Sequence, residues 1–186
     1  LAPPGDWVTP LGTVAVDGVL NRALAAECPD LREDAGAHRY EHSLEVQLPF
    51  LQMLQPELRF GAICIRQMDY PTLETLGHAM ARAIGSLNEP VLLIASSDMT
   101  HYESKESAAE QDRLAIDRIL ALDPEGLYGV VLDRDITMCG FAPAVAVLIA
   151  CRNMGASSGR LIRYTNSGEA SGDYDRVVAY AGIAVT

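Results

Sequence analysis

The chain is poor in several things, and each shortage removes a class of protein. Its four cysteines, Cys28, Cys64, Cys139 and Cys151, form no C-x-x-C pair and are sparse for 186 residues. That argues against a disulfide framework and suits free thiols in a reducing cytoplasm, the expected compartment. Basic residues are also few: 14 Lys and Arg stand against 25 Asp and Glu, a net charge of −11. A surface built to neutralise phosphates needs clustered cations, so neither nucleic acid nor an anionic membrane is an expected partner. No apolar run approaches the roughly 18–20 residues of a membrane span, and the opening LAPPGDW lacks the basic and apolar regions of a signal peptide. Repeats, low-complexity tracts and long linkers are missing as well, so residues 1–186 read as one domain.

What is there alternates. Strand-like runs fall at 12–16, 58–65, 90–97, 160–165 and 176–185. Helical stretches lie at 17–27, 43–55, 71–86, 101–122 and 141–153, several with apolar spacing near 3.6. VLLIA at 91–95 is apolar throughout, as a strand covered on both faces would be. The alternation predicts an α/β layered domain with a largely parallel or mixed sheet. Ligands of such sheets gather beyond the carboxyl ends of the strands. Leu1 opens in a Pro-rich loop where an α/β sheet would normally seat a first strand, which predicts that an N-terminal part is missing.

ASSDMTHYE at 95–103 is the strongest local signal for chemistry. A buried strand is expected to end in Ser96, Ser97 and Asp98, with His101 three residues later at a helix start that would favour the neutral imidazole. Thr100 and Glu103 fit a capping box and Asp98 could serve loop amides, but capping does not account for the imidazole. TMCGFAPA at 137–144 is the second signal. Pro143 is tolerated only in a first helical turn, so Cys139 falls at or just before a helix N-terminus, a position that favours thiolate. The bland reading of Cys139, a small buried hydrophobe, is the one given to the other three cysteines. Asn166, Ser167 and Gly168 lie in TNSGEASGDYD, a polar connection between two strands and a weaker candidate. Tyr102, Tyr164, Tyr174 and Tyr180 read as packing residues.

HRYEH at 38–42 matches the H-x-x-E-H pattern of inverted zinc proteases. The match is weak, because Gly36 breaks any helix that would present His38 and His42 together, Pro49 interrupts the following run, and no third ligand cluster appears. The expectation is His38 in a loop or exposed and His42 near a helix start.

Four motifs together resemble a known family: EHSLEVQLPFLQ at 41–52, SSDMTHY at 96–102, MCGFAP at 138–143 and YTNSGEASGD at 164–173, followed by VVAYAGIA. In this order they are similar to the Memo-like family, whose prokaryotic members are called AmmeMemoRadiSam system protein B. The resemblance implies the αβα fold of class III extradiol dioxygenases, the LigB-like superfamily, without an established dioxygenase activity. It implies a pocket containing Asp98, His101 and Cys139, with Glu41 and His42 opening a helix beside it, and iron or copper as the metal. Cys139 matches a metal-ligand cysteine. The family's two ligand histidines belong to P-H-A-G-Y and G-P-x-H motifs that this sequence lacks. The chain should therefore be roughly the last two thirds of a longer protein and hold no tightly bound metal by itself.

The leading expectation is a cytoplasmic Memo-like protein with a dioxygenase-type pocket and a metal-dependent redox role toward a small molecule or peptide, with self-association left open. A non-catalytic module binding a peptide or small ligand is one competitor. The other is an amidase-like hydrolase with Cys139 as nucleophile, His101 as base and Asp98 as orienter.

Overall fold

The computed structural model describes residues 1–66 and 68–186. The chain is α/β and divides into two compact units, Leu1–Arg66 with Ala79–Leu92 and Gln67–His78 with Leu93–Thr186.

The first unit holds a mixed three-stranded sheet, order β1-β2-β3. A hairpin joins β1 (Asp6–Thr9) antiparallel to β2 (Gly12–Val16), and β2 runs parallel to the two-residue β3 (Arg59–Phe60). Gly12, at φ +119, makes the turn that other residues rarely adopt. Asp17 starts α1 (Gly18–Glu27) by accepting from the Val19 and Leu20 amides, and Asp34 caps the short α2 (Ala35–His38) in the same way. A 3-10 turn, Glu45–Gln47, leads into α3 (Leu48–Leu54). Pro49 thus stands in the first turn of a helix rather than interrupting one, where its missing N–H costs no hydrogen bond. Ala2, Val16 and Ala62 make a small core, closed by Trp7, Leu44 and Phe60.

The second unit is built on an antiparallel sheet, order β4-β6-β5, from β4 (His101–Glu103), β5 (Gly159–Asn166) and β6 (Val177–Val185). The long β5/β6 pair packs under α5 (Lys105–Leu120). Next come α6 (Pro124–Asp133), begun by the Asp123 cap and Pro124, and α7 (Phe141–Asn153). Ala142, Val145, Ala146, Leu148, Ile149 and Ala150 are all buried, so α7 is an apolar core helix. Gly77 in α4 (Tyr70–Gly85) allows close contact with α7, since a Cβ there would lie 2.7 Å from the Ala146 carbonyl oxygen and from Ile149. The one-turn α8 (Gly168–Ser171) follows β5.

Several expectations need correction. Among the described residues no strand is assigned at 90–97, and Leu92 and Ile94 are 77% and 42% exposed, so the apolar run is not a strand covered on both faces. Apolar composition gives β-propensity but cannot supply the neighbouring strand that a ladder requires. Among the described residues, the run at 58–65 forms a strand only at Arg59–Phe60. The helix expected from 101 begins at Lys105, because Ser104 takes the cap by accepting from the Ser107 amide. Glu103 instead accepts from the Ser107 hydroxyl and the Gln111 amide group, so no Thr100–Glu103 capping box forms.

Candidate functional site

Asp98, His101 and Cys139 come together although the last lies 38 residues beyond His101. One ligand-capable atom from each lies within 4.8 Å of the other two, and among the described residues no other group of three His, Cys, Asp or Glu does this. Backbone geometry brings them there. The stretch before Asp98 abuts the start of α7 at Gly140, where a Cβ would collide with the Ser96 carbonyl oxygen and the Ser97 side chain. The Ser97 hydroxyl accepts from the Gly140 amide (2.8 Å) and donates to the Asp98 carbonyl (2.6 Å). Cys139, one residue before the α7 cap and exposed, is fixed opposite Asp98, whose amide donates to its sulfur at 3.3 Å.

His101 lies in the edge strand β4, not at a helix start. Thr137 does the orienting. Its hydroxyl accepts the His101 amide (2.8 Å) and its carbonyl lies 2.7 Å from Nδ1. A carbonyl can only accept, so Nδ1 carries the proton and a neutral ring has its lone pair on Nε2. Nε2 lies 3.4 Å from Asp98 Oδ2. A bare lone pair and a carboxylate at that distance repel unless a cation lies between or beside them, either the proton of an imidazolium or a metal ion.

The other named residues have the following local partners. Asn166 is buried and accepts from the Gly168 amide, while the Ser167 hydroxyl accepts from the Val178 amide. A Cβ at Gly168 would press on Tyr174 and Asn166. These three residues build the β5–α8 corner. Glu41, in the first unit, accepts from the Ser43 hydroxyl and from the Ser43 and Leu44 amides (2.6 and 3.0 Å). Burial raises its carboxyl, but these hydrogen bonds outweigh burial and hold it below its ordinary range. His42 is exposed and precedes the 3-10 turn, while His38 ends α2, half-buried and edge-on to Trp7 at 5.9 Å. His38 is therefore neither in a loop nor exposed, and the two imidazoles share no helical face. Cys151 is partly buried, and burial pushes its thiol up.

Sequence reasoning missed three residues. Thr137 aims His101, and Asp112, fully buried on α5, accepts from the Thr100 amide (2.9 Å) and the Tyr164 hydroxyl (2.6 Å). Tyr164 is thus more than a packing residue. Burial, with the hydrogen bond and charge of Asp112, pushes its hydroxyl well above the ordinary value. An acid among Ala108, Ala115 and Ile116 on the buried face of α5 was a readable signal.

Fold and site define an α/β protein with a converging carboxylate, imidazole and thiol. No described helix is long and apolar enough to cross a membrane. The Memo-like protein family model matches residues 1–184, and the chain belongs to that family. It is 43% identical over 180 residues to a MEMO1 family protein of Methanopyrus kandleri, covering 96% of this chain and 64% of that protein. A MEMO1 family protein of Methanothermobacter thermautotrophicus is 41% identical over 180 residues, covering 97% of this chain and 65% of its own length. One of Methanocaldococcus jannaschii is 40% identical over 185 residues, covering 97% and 64%. The chain therefore spans just under two thirds of these relatives.

Proposed function

We propose that Asp98, His101 and Cys139 form the reactive centre of this Memo-like chain and bind a redox-active transition metal, iron or copper, for work on a small molecule or peptide in the cytoplasm. The observation that carries this reading is the Thr137 carbonyl on His101 Nδ1, which leaves Nε2 as the lone-pair nitrogen on the side of Asp98. The donor set of imidazole nitrogen, thiolate sulfur and carboxylate oxygen fits these metals. Cys139, His101 and Asp98 would hold the metal, which would supply electron transfer and Lewis acidity at an open position. Three donors with Cys139 exposed make a weaker and more exchangeable site than a closed one.

Around it, the chain's own groups have definite tasks. The Asp98 amide donates to the Cys139 sulfur and stabilises negative charge there. Asp98 Oδ2 stands 3.4 Å from His101 Nε2, a pair placed to exchange a proton with a bound ligand. The hydrolase reading fits less well. A base that takes the thiol proton while an acid orients it needs both ring nitrogens, and here Nδ1 belongs to Thr137.

The test is metal titration of the intact chain with iron(II), copper(II) and cobalt(II), followed by elemental analysis and near-ultraviolet absorption. A thiolate-to-metal charge-transfer band, abolished by Cys139→Ser, is the expected result. A band that is absent with all three metals, or one that survives Cys139→Ser, would overturn the proposal.

A further inference from the structure

Asp112 is a buried acid that the proposed chemistry does not use. It is 0% exposed, and no cation lies within ion-pair distance of it among the described residues. A buried carboxylate without a cation is unfavourable by several kcal/mol unless strong hydrogen bonds offset it. Its two oxygens have one donor each, the Thr100 amide and the Tyr164 hydroxyl.

Thr100 explains the need. The strand that carries His101 is irregular: His101 pairs with Val178 and Glu103 with Val177, so Tyr102 is an extra residue in the ladder. Tyr102 sits at φ +62, a left-handed conformation that a residue with a Cβ adopts only under constraint. Something must hold the chain on either side of the bulge. Thr100 is anchored at its carbonyl by the Ala179 amide and at its amide by Asp112. The next amide, that of His101, is taken by the Thr137 hydroxyl. Two consecutive amides are thus held by side chains from α5 and from the segment before α7.

We infer that Asp112 and Thr137 are positioning residues for His101, clamping the bulged strand so that Nδ1 meets the Thr137 carbonyl and Nε2 faces Asp98. The inference rests on the reading of that cluster as the working site, but its geometric half can be measured without any metal.

The experiment compares Asp112→Ala, Asp112→Asn, Thr137→Val and Thr137→Ser with the intact wild-type chain. Asparagine still accepts from Thr100 and can donate to the Tyr164 oxygen, and serine keeps the hydroxyl, so both should rescue. Nitrogen-15 NMR of the imidazole should show a protected His101 Nδ1–H in the wild type, Asp112→Asn and Thr137→Ser. That signal should broaden or vanish in Asp112→Ala and Thr137→Val, with at least roughly tenfold faster exchange of the His101 amide. Cobalt(II) affinity, read in parallel, should fall about 10–100-fold in the same two variants and by less than about threefold in the conservative pair. If the wild type binds no cobalt but the NMR pattern holds, the metal proposal fails and the clamp stands. If Asp112→Ala does not fold, Thr137→Val and the two conservative variants carry the test. Folded Asp112→Ala or Thr137→Val with an unchanged Nδ1–H and amide exchange would overturn the inference.

Discussion

Two stretches of this chain offer the same side chains to opposite ends. In HRYEH an acid stands beside two histidines, and in SDMTH an acid stands three residues before one. Glu41 serves amides: its carboxylate accepts from those of Ser43 and Leu44 and closes the turn they make. His38 packs on Trp7 and His42 faces solvent. Around Asp98 the backbone is satisfied from elsewhere, by Ser97, Thr137, Asp112 and the ladder partner Ala179. Asp98 Oδ2 and His101 Nε2 therefore face each other, with Cys139 beside them. An acid is available for chemistry where other groups have already met the local backbone's demand for acceptors.

The sharpest way to break the comparison is to remove one imidazole from each stretch. His101→Ala should weaken cobalt(II) binding more than roughly 100-fold, because it deletes a donor rather than a supporting group. His42→Ala and His38→Ala should leave it within about twofold, since neither belongs to the three-donor cluster. Calorimetric titration of the three variants reads this directly. Equal losses in His42→Ala and His101→Ala would make the two motifs one site and end the contrast.

Glu41→Ala tests the other side. It removes the carboxylate hydrogen bonds to the Ser43 and Leu44 amides, and loss of a cap of this kind lowers stability by about 1 kcal/mol. Denaturant unfolding should show that loss while metal affinity stays unchanged. A fall in affinity without a fall in stability would return Glu41 to the pocket that the family resemblance implies.

How much of this was legible beforehand follows from range. The helix after Asp17, α7 around Pro143 and the strands β5 and β6 are written in neighbouring residues, and each lies within a few residues of its expected range. The start of α6 was equally local in Asp123-Pro124, but Gly126 and Gly129 dilute its helical signal, and it was overlooked. Residues 90–97 failed because a ladder needs a partner that composition cannot name. Within the site, Asp98, His101 and Cys139 were legible as chemistry-bearing side chains at segment ends. Thr137 was not, since it acts through a backbone carbonyl that tertiary structure alone brings to Nδ1.

The smallest expected effect is on acid stability, and it separates Glu41 the cap from Glu41 the spectator. Burial raises the Glu41 carboxyl, the Ser43 and Leu44 hydrogen bonds lower it by more, and the folded value lies below the ordinary 4.5. The unfolded chain then binds more protons near and below pH 4.5, so stability rises with pH through that window. The contribution is complete above the ordinary value and is lost as pH falls through the lowered folded one. His38 acts in a higher window: burial lowers its imidazole below 6.5, so folding is disfavoured as pH falls past that value. Both groups are partly open to solvent, which keeps each effect small. Denaturant midpoints from about pH 3 to 8 should show wild type above Glu41→Gln at neutral pH, with the gap closing only below about pH 4.5. Any decline between about pH 7 and 5 should be common to both proteins, because His38 is present in each. A gap that stays constant to pH 3 would mean that the amides at 43 and 44 do not hold a carboxylate, and the contrast with Asp98 would lose its electrostatic basis.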